Sequence, residues 1–213
     1  MRDLQKALGD ISSIRRQMAR STEFRGYGPA TLAGTGAIAF LAAGVQTLVL
    51  PHPSSRILRY LAIWIATAVL SAALAAAEMY ARTRRIHSGM SDDMIHMAVE
   101  QFLPAVCAGA SVTIVLVHYV PSALWMLPGI WQVIFSLGVF SSCRFLPRPM
   151  VIAGAWYLLT GLMCLALGDN RALSPWAMAV PFGVGQLLVA AILYCTAEER
   201  SEEEVGEEGS DES

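Results

Sequence analysis

Residues 59–118 read RYLAIWIATAVLSAALAAAEMYARTRRIHSGMSDDMIHMAVEQFLPAVCAGASVTIVLVH, and this stretch decides the fold. It contains two long apolar runs, and most of its charged residues lie in the connection between them. A helix needs roughly 20 apolar residues to cross a hydrocarbon core of about 30 Å, and each run has that length. The stretch therefore predicts two membrane-spanning helices joined by a short basic turn over residues 81–93.

The composition extends this interpretation to most of the chain. Hydrophobic residues make up 55% of the 213 positions and charged residues 15%, and the mean hydropathy is +0.50. The apolar share is higher, and the charged share lower, than is usual for soluble domains. The length leaves room for about six membrane-length helices, but not for a separate soluble catalytic domain.

Six apolar runs follow one another along residues 28–196. In lipid, every backbone amide must be paired within the chain, so runs of this length form helices. The expected spans cover about Gly28 to Leu50, Ile57 to Tyr80, Met94 to His118, Leu124 to Ser141, Met150 to Gly168 and Trp176 to Cys195. The fold class is therefore all-α, a six-helix transmembrane bundle, with most connections too short to hold folded structure.

Small residues and prolines indicate how the spans pack. Rows of small residues let helix backbones approach closely, and prolines inside spans are expected to kink them. The rows consist of Ala68, Ala72 and Ala76 in the second span and of Ala105, Gly109 and Thr113 in the third; the prolines are Pro104, Pro128 and Pro181.

Residues 1–27 are expected to form a cytoplasmic amphipathic helix and a linker. An apolar stripe recurs at three- and four-residue steps, and it consists of Leu4, Ala7, Ile11, Ile14 and Met18. Arg15, Arg16 and Arg20 lie off the stripe, where they can meet anionic lipid or a partner while the stripe faces the membrane. A short coiled coil with itself or with a partner is the alternative.

Residues 197–213 differ from the rest of the chain in charge. Nine acidic residues and one arginine fall between 198 and 213, a balance of −8, so the remainder of the chain carries +6. Because this tail has almost no apolar side chain to bury, it is expected to be disordered and cytoplasmic. It is either a solubilising tail or a docking site for a basic partner.

The basic residues set the expected orientation. Twelve of the 15 lysines and arginines fall on the side of the two termini, and Arg56, Arg59 and Arg171 fall on the other side. The positive-inside rule therefore places both termini in the cytoplasm. Aromatic residues are enriched at membrane interfaces, and those expected at the outer interface are Tyr60, Tyr119, Trp125 and Trp176.

Polar side chains within the spans form the candidate site. A charged group at membrane depth costs about 2.5 to 3.5 kcal/mol on insertion scales, so it calls for a functional hypothesis. The candidates are Glu78, His96, Glu100, Gln132 and Gln186. His96 and Glu100 share a helix face because they are four residues apart. Together with Glu78 they would relay a proton or bind a divalent cation.

The alternative for the same residues is a belt of ion pairs at the membrane surface. Glu78 lies four residues before Arg82, and such a pair contributes a few tenths of a kcal/mol, roughly 0.2 to 0.5. Arg84 and Arg85 follow closely. The three arginines would contact lipid headgroups or a cytoplasmic partner, and the amides Gln132 and Gln186 would bond between helices.

No motif for catalysis, metal binding or phosphate binding occurs in the sequence. It contains no G-x-S-x-G, H-E-x-x-H or G-x-x-x-x-G-K-[ST], and its four cysteines have no C-x-x-C spacing. The dispersed arginines are explained by topology rather than by nucleic-acid binding. We therefore expect a protein that is not an enzyme and has no cofactor; its oligomeric state is open.

Several short motifs carry a resemblance to a known group. They are Ile11-x-x-Ile14-Arg15-x-x-Met18-x-Arg20, Phe24, Gly26, Gly28, Leu127-Pro128-Gly129-Ile130-Trp131, Arg144-Phe145-Leu146-Pro147 and Phe182-Gly183-x-Gly185-Gln186. With them the chain resembles a group of bacterial six-span inner-membrane proteins, without an assigned activity, that are often encoded beside winged-helix transcriptional regulators. The resemblance implies the bacterial inner membrane and a regulatory partnership, and it assigns no activity to any residue.

Two function hypotheses follow from the sequence. The first is a non-enzymatic signalling or scaffold accessory that binds a cytoplasmic protein partner through the N-terminal helix, the Arg82 to Arg85 turn and the acidic tail. The second is a small transporter or proton-coupled permease that uses Glu78, His96 and Glu100 with Gln132. A water-filled cavity linking His96 and Glu100 to the deeper amides would favour transport.

Overall fold

The computed structural model describes the backbone of residues 28–85, 90–143 and 149–211, and the side chains within these ranges except 82–85, 90–99, 101, 169–170 and 197–211. This part of the chain is entirely helical. Its α-helices are α1 (Pro29–Val49), α2 (Ile57–Arg85), α3 (Met90–Tyr119), α4 (Leu127–Ser142), α5 (Met150–Leu167) and α6 (Pro175–Asp211). Six segments within these helices and the adjoining turns are long and apolar enough to cross a membrane, as predicted.

Three connections lie at one end of the bundle, which we call the turn end. Each forms a short 3₁₀ helix, namely Pro53–Arg56, Pro121–Met126 and Asp169–Leu173. The third of these turns packs against the other two. At this end each connection thus holds a 3₁₀ helix of four to six residues, which the sequence analysis did not predict. Gly168 enters the third turn with φ 61° and ψ 172°, a conformation essentially restricted to glycine.

The helices form a ring in chain order. Each helix packs against the next one along the chain, and α6 closes the ring on α1. The contacts of α1 with α6 and of α4 with α5 are the most extensive, whereas α2 and α3 barely touch. Because the six helices alternate in direction, the start of α1 and the apolar end of α6 both lie opposite the turn end. We call this opposite side the Glu78 end.

Glycines bring α4 against α5 and α1 against α6. A Cβ atom at Gly161 would lie 2.9 Å from the carbonyl oxygen of Gly129, and one at Gly36 would lie 2.9 Å from that of Gly183. Real Cβ atoms essentially never approach backbone oxygens so closely, so these positions require glycine. Close backbone approach at small residues is the usual way in which helices associate in membranes.

Two apolar clusters fill the interior. The cluster near the turn end joins residues of α1, α2 and α6 to the turns, and includes Tyr60, Trp64, Leu124 and Leu173. The other joins α4 and α5, around Val139, Met150, Ala153 and Tyr157. Tyr60 is fully buried, so its prediction as an interfacial aromatic is wrong: it faces its neighbouring helices rather than the lipid headgroups.

Two helix ends differ from the sequence prediction. Helix α2 runs to Arg85, so the backbone of Arg82, Arg84 and Arg85 is helical where a turn was expected. Helix α6 continues to Asp211 through the tail that was expected to be disordered. Both differences have one cause: a membrane helix supplies the nucleus, so elongation is inexpensive, and Glu and Arg are good helix formers. The predicted N-terminal helix lies outside the described residues.

The prolines divide into two kinds. Pro104 and Pro181 lie inside α3 and α6, as predicted. Pro128 lies in the first turn of α4 instead, where a proline is tolerated because the first amide groups of a helix have no intrahelical partner. Pro128 thus lies inside its membrane span, where the 3₁₀ helix Pro121–Met126 is followed by α4.

Candidate functional site

Glu78 holds the start of α1. The backbone N–H of Gly28, immediately before α1, donates to Oε2 of Glu78 at 3.2 Å, and the Glu78 side chain is half-buried. The first N–H groups of a helix have no intrahelical acceptor, and the helix dipole favours negative charge at this end. Glu78 therefore ties α1 to α2 at the Glu78 end.

Glu100 lies apart from this contact. Its side chain is exposed on α3, the helix that α2 barely touches. Pro104 follows four residues later and has no N–H, so the carbonyl of Glu100 has no intrahelical donor. The side chains of His96, Arg82, Arg84 and Arg85 lie outside the described residues.

Gln132 bonds across the bundle to α6. Its Nε2 donates to the carbonyl oxygen of Ala177 at 2.9 Å, and the side chain is fully buried. Ala177 precedes Pro181 by four residues, and Pro181 cannot donate to that carbonyl. Gln132 therefore supplies the hydrogen bond that Pro181 removes from α6.

A second donor acts at the same proline. The indole Nε1 of Trp156 on α5 donates to the carbonyl oxygen of Pro181 at 3.0 Å. Two neighbouring helices thus each donate one side-chain hydrogen bond to α6 around its irregular turn. Only the bond from Gln132 replaces one that the proline removes, because Pro181 frees the carbonyl of Ala177, whereas the carbonyl of Pro181 can still accept within α6.

Two buried oxygen atoms have no partner among the described residues, namely Oε1 of Gln132 and the hydroxyl oxygen of Tyr60. The hydroxyl of Tyr157 on α5 lies within hydrogen-bond reach of the Gln186 side chain on α6. Ser136, one helical turn beyond Gln132, is fully buried and donates to the carbonyl of Val133 at 2.6 Å. The buried part of α4 thus contains two polar side chains, Gln132 and Ser136, and both donate to backbone carbonyls.

Gln186 belongs to a different interface. Its Cβ lies 3.4 Å from the position that a Cβ would take at Gly36 of α1, so Gln186 flanks the crossing of α1 and α6. The side chain is half-buried. Gln132 faces α5 and α6, whereas Gln186 lies beside α1.

Gln46, a third deep amide for which interhelical hydrogen bonding is expected from the sequence, has the most complete set of bonds. Its Nε2 donates to the carbonyl oxygen of Leu173 at 2.9 Å, and its Oε1 accepts from Nε1 of Trp64 at 2.8 Å. The side chain is fully buried. One amide therefore connects α1, α2 and the third turn.

The Gln46 pair has a counterpart in the next helical hairpin. Nε1 of Trp131 on α4 donates to Oγ1 of Thr113 on α3 at 2.9 Å. In both hairpins the tryptophan lies 18 residues after its acceptor, and a 3₁₀ turn that begins with proline lies between them. The signal in the sequence is this equal spacing about a proline turn. It places the tryptophan and its acceptor at the same depth in the two helices of the hairpin.

A shallow cavity of about 180 Å³ lies between the three turns. Two serines and several apolar residues line it: Ser54, Ser122, Ile57, Leu124, Trp125 and Leu173. Leu124 and Leu173 belong to the buried cluster at the turn end. The cavity lies at the end of the bundle opposite to Glu78.

The sequence-predicted candidates whose side chains the structure describes lie at separate places, and the side chain of His96 lies outside the described residues. Glu78 lies between α1 and α2, Glu100 is exposed on α3, and the two amides occupy different interfaces. Among the described side chains, no group of three His, Cys, Asp or Glu residues is placed to hold a metal ion. What this arrangement does chemically is to hold helices together.

These features define the class of the molecule: an all-helical protein whose six apolar helices are those of a multi-pass membrane protein. Comparison with known proteins does not narrow this class further. No protein-family model, no curated protein and no solved structure matches the chain.

Proposed function

We propose that the protein is a non-enzymatic scaffold or signalling accessory of the bacterial cytoplasmic membrane, with both termini in the cytoplasm. It presents three charged segments to a cytoplasmic protein partner. These are residues 1–27 with Arg15, Arg16 and Arg20, the end of α2 at residues 82–85, and the acidic continuation of α6. All three are attached to the Glu78 end of the bundle.

The observation that supports a scaffold is the use of the buried polar groups. The buried polar side chains of the described residues are Thr35, Gln46, Gln132 and Ser136. Each of them donates to a backbone carbonyl oxygen, at 2.6 to 2.9 Å. Polar groups that bind a passing substrate need donors and acceptors not already engaged by the protein. Of these four, Gln46 and Gln132 bond to another helix or turn, whereas Thr35 and Ser136 bond within their own helices; Oε1 of Gln132 is the acceptor that the described residues leave unpaired.

A proton-coupled permease built on Glu78, His96 and Glu100 is the competing function. Glu78 accepts a hydrogen bond from Gly28, and Glu100 is exposed. Gln132, the deep member of that hypothesis, fills the space between α4, α5 and α6, with its Cβ 3.0 Å from where a Cβ would lie at Gly161. Packing this close favours the scaffold.

The experiment compares two triple variants in native membranes. One replaces Arg82, Arg84 and Arg85 by Gln, and the matched control replaces Arg56, Arg59 and Arg171 by Gln. Each removes three positive charges, at opposite ends of the bundle. After cross-linking and affinity purification of the full-length chain, we expect the first variant to lose its cross-linked protein about tenfold, as loss of a charge-assisted hydrogen bond or two predicts.

The control variant should keep the same cross-linked protein at the wild-type level. Labelling of Ser55→Cys with an impermeant maleimide confirms that neither triple variant has inverted, because both change the charge bias that sets orientation. An equal set of cross-linked proteins from both variants would contradict the scaffold. Proton flux in proteoliposomes that Glu100→Gln abolishes would establish the permease in its place.

A further inference from the structure

The cavity between the three turns is part of a firmly held structure. Its wall includes Leu173, which is 2% exposed, and Leu124, which is 5% exposed. The carbonyl of Leu173 accepts the hydrogen bond of Gln46 at 2.9 Å, and Gln46 is itself held by Trp64. A buried amide thus fixes the third turn against the bundle, so the cavity is preformed.

The lining of the cavity is amphiphilic. Ser54 and Ser122 bring exposed hydroxyl groups to its rim, and Ile57, Leu124, Trp125 and Leu173 form its apolar wall. The three turns connect membrane spans, so the cavity lies at the level where hydrocarbon meets headgroups. Tryptophan is enriched at that level because one edge of its ring is polar. Such a lining suits a molecule that is itself polar at one end and apolar at the other.

The charge around the cavity is positive. Arg56 belongs to the first turn and Arg171 to the third, and both side chains are exposed. Among the side chains that the structure describes in residues 50–60, 119–126 and 168–175, none is acidic, and Asp169 is the only acidic residue there in the sequence. Arginine pairs with phosphate oxygens through charge-assisted, often bidentate hydrogen bonds.

We propose that this cavity binds the headgroup of an anionic phospholipid. The phosphate accepts hydrogen bonds from the serine hydroxyls and from Arg56, two residues after Ser54 in the first turn, and Arg171 of the third turn adds positive charge. The glycerol lies against Trp125 and Leu173, and the acyl chains stay in the bilayer. A cavity of about 180 Å³ admits a headgroup but not a whole lipid. The site is independent of the proposed cytoplasmic partner.

Native mass spectrometry of the full-length, delipidated protein tests this proposal. Phosphatidylglycerol and phosphatidylcholine with identical acyl chains are titrated separately, and the lipid-bound fractions are compared. Both lipids carry the phosphate, but the choline of phosphatidylcholine adds a positive charge that the arginines repel, so we expect phosphatidylglycerol to bind about tenfold more tightly. Ser54→Leu, which fills the cavity, and Arg56→Gln should each reduce this preference to about twofold or less.

Matched controls come from the neighbouring positions. Ser55→Leu changes the same turn outside the cavity, and Arg59→Gln removes one positive charge from α2; both should retain the wild-type preference. Ser122→Leu repeats the filling from the second turn, so the test holds even where Ser54→Leu fails to fold. Elution in gel filtration identifies such a failure.

Three outcomes would overturn the proposal. The first is equal binding of the two lipids. The second is a loss in Ser55→Leu and Arg59→Gln as large as that in Ser54→Leu and Arg56→Gln, which would indicate general surface attraction. The third is displacement of phosphatidylglycerol by inorganic phosphate at millimolar concentration, which would make the site one for free anions rather than for lipid.

Discussion

Helices α1, α4, α5 and α6 can be compared with helices α2 and α3. The two groups are equally apolar: the spans have mean hydropathies of 1.7, 1.6, 2.0 and 1.9 in the first group and 2.0 and 1.8 in the second. Burial separates them. In the first group 33 to 44% of each span is buried within the chain, but in α2 only 17% and in α3 none.

The comparison teaches that the hydropathy of a helix shows whether it lies in an apolar environment. It does not show whether lipid or other helices of the chain surround it. Lipid and protein interior are both apolar, so burial there depends on shape and on interhelical bonds. The first group has the glycine crossings, such as Gly129 with Gly161. The small-residue row of α2, Ala68, Ala72 and Ala76, is exposed, whereas Ala105 and Thr113 of the α3 row contact Gly138 and Trp131 of α4.

The largest loss of stability is expected from adding a single methyl group between α4 and α5, in the well-buried group of helices. Gly161→Ala places a Cβ 2.9 Å from the carbonyl oxygen of Gly129 and 3.0 Å from the Cβ of Gln132, and backbone cannot move aside as a side-chain tip can. We predict a loss of about 2 to 3 kcal/mol of stability, the upper range for overpacking. Thermal unfolding in detergent measures it. Gly44→Ala, where nothing lies within 4 Å, should show no loss.

The next effect concerns the link between the two groups of helices. Gln46→Leu removes both hydrogen bonds of Gln46, leaving the indole of Trp64 and the carbonyl of Leu173 unpaired. Interhelical bonds in membranes contribute about 0.6 to 1.7 kcal/mol each, so we predict a loss of about 2 kcal/mol in the same assay. Thr47→Leu is the control, because its exposed hydroxyl bonds only to Gly44 of its own helix. An equal loss in both would contradict this role of Gln46.

A smaller effect, about 1 kcal/mol, is expected for Gln132→Leu, because one interhelical bond is lost. The role of Gln132, to replace the hydrogen bond missing at Pro181, can be tested with Pro181→Ala. This substitution restores an N–H able to bond to the carbonyl of Ala177. In that background Gln132→Leu should have a much smaller effect. A double-mutant cycle measures the coupling; purely additive losses would show that Gln132 does not replace the bond missing at Pro181.

The smallest effect is expected on the exposed row. Ala72→Leu adds three carbon atoms where the structure leaves the side chain exposed, so stability should change by less than about 0.5 kcal/mol. Ala153→Leu makes the same replacement at a residue that is 0% exposed and should be clearly destabilising. If Ala72→Leu is equally harmful, α2 is packed in the membrane against something outside this chain.

The sequence predicts the architecture well because its signals are local. Helix number and the alternation of spans follow from apolar runs. The α-helices begin and end within a few residues of the expected positions, except that α2 and α6 run on to Arg85 and Asp211. The packing partners are not local. Gln46 meets Leu173 across 127 residues, and Gln132 meets Ala177 across 45, so no pattern within one span indicates either contact.

The placement of the two described carboxylates, Glu78 and Glu100, could not be derived from the sequence for a related reason, and the side chain of His96 lies outside the described residues. Glu78, His96 and Glu100 lie close together in the sequence, which suggests a cluster when the order of packing is unknown. In the ring, α2 and α3 barely touch, and Glu78 turns to α1. For the pairs Gln46–Trp64 and Thr113–Trp131, the sequence shows only the equal spacing of 18 residues about a proline turn. In a tight hairpin, residues at equal distances from the turn lie at the same depth.

The closure of the ring by α6 on α1 has a consequence for the chain ends. Residues 1–27 carry six basic and three acidic residues, and residues 198–213 carry nine acidic residues and one basic residue. These oppositely charged segments are attached to adjacent helices at the same end of the bundle. Their opposite charges attract each other at distances within a Debye length, and raising the ionic strength weakens that attraction.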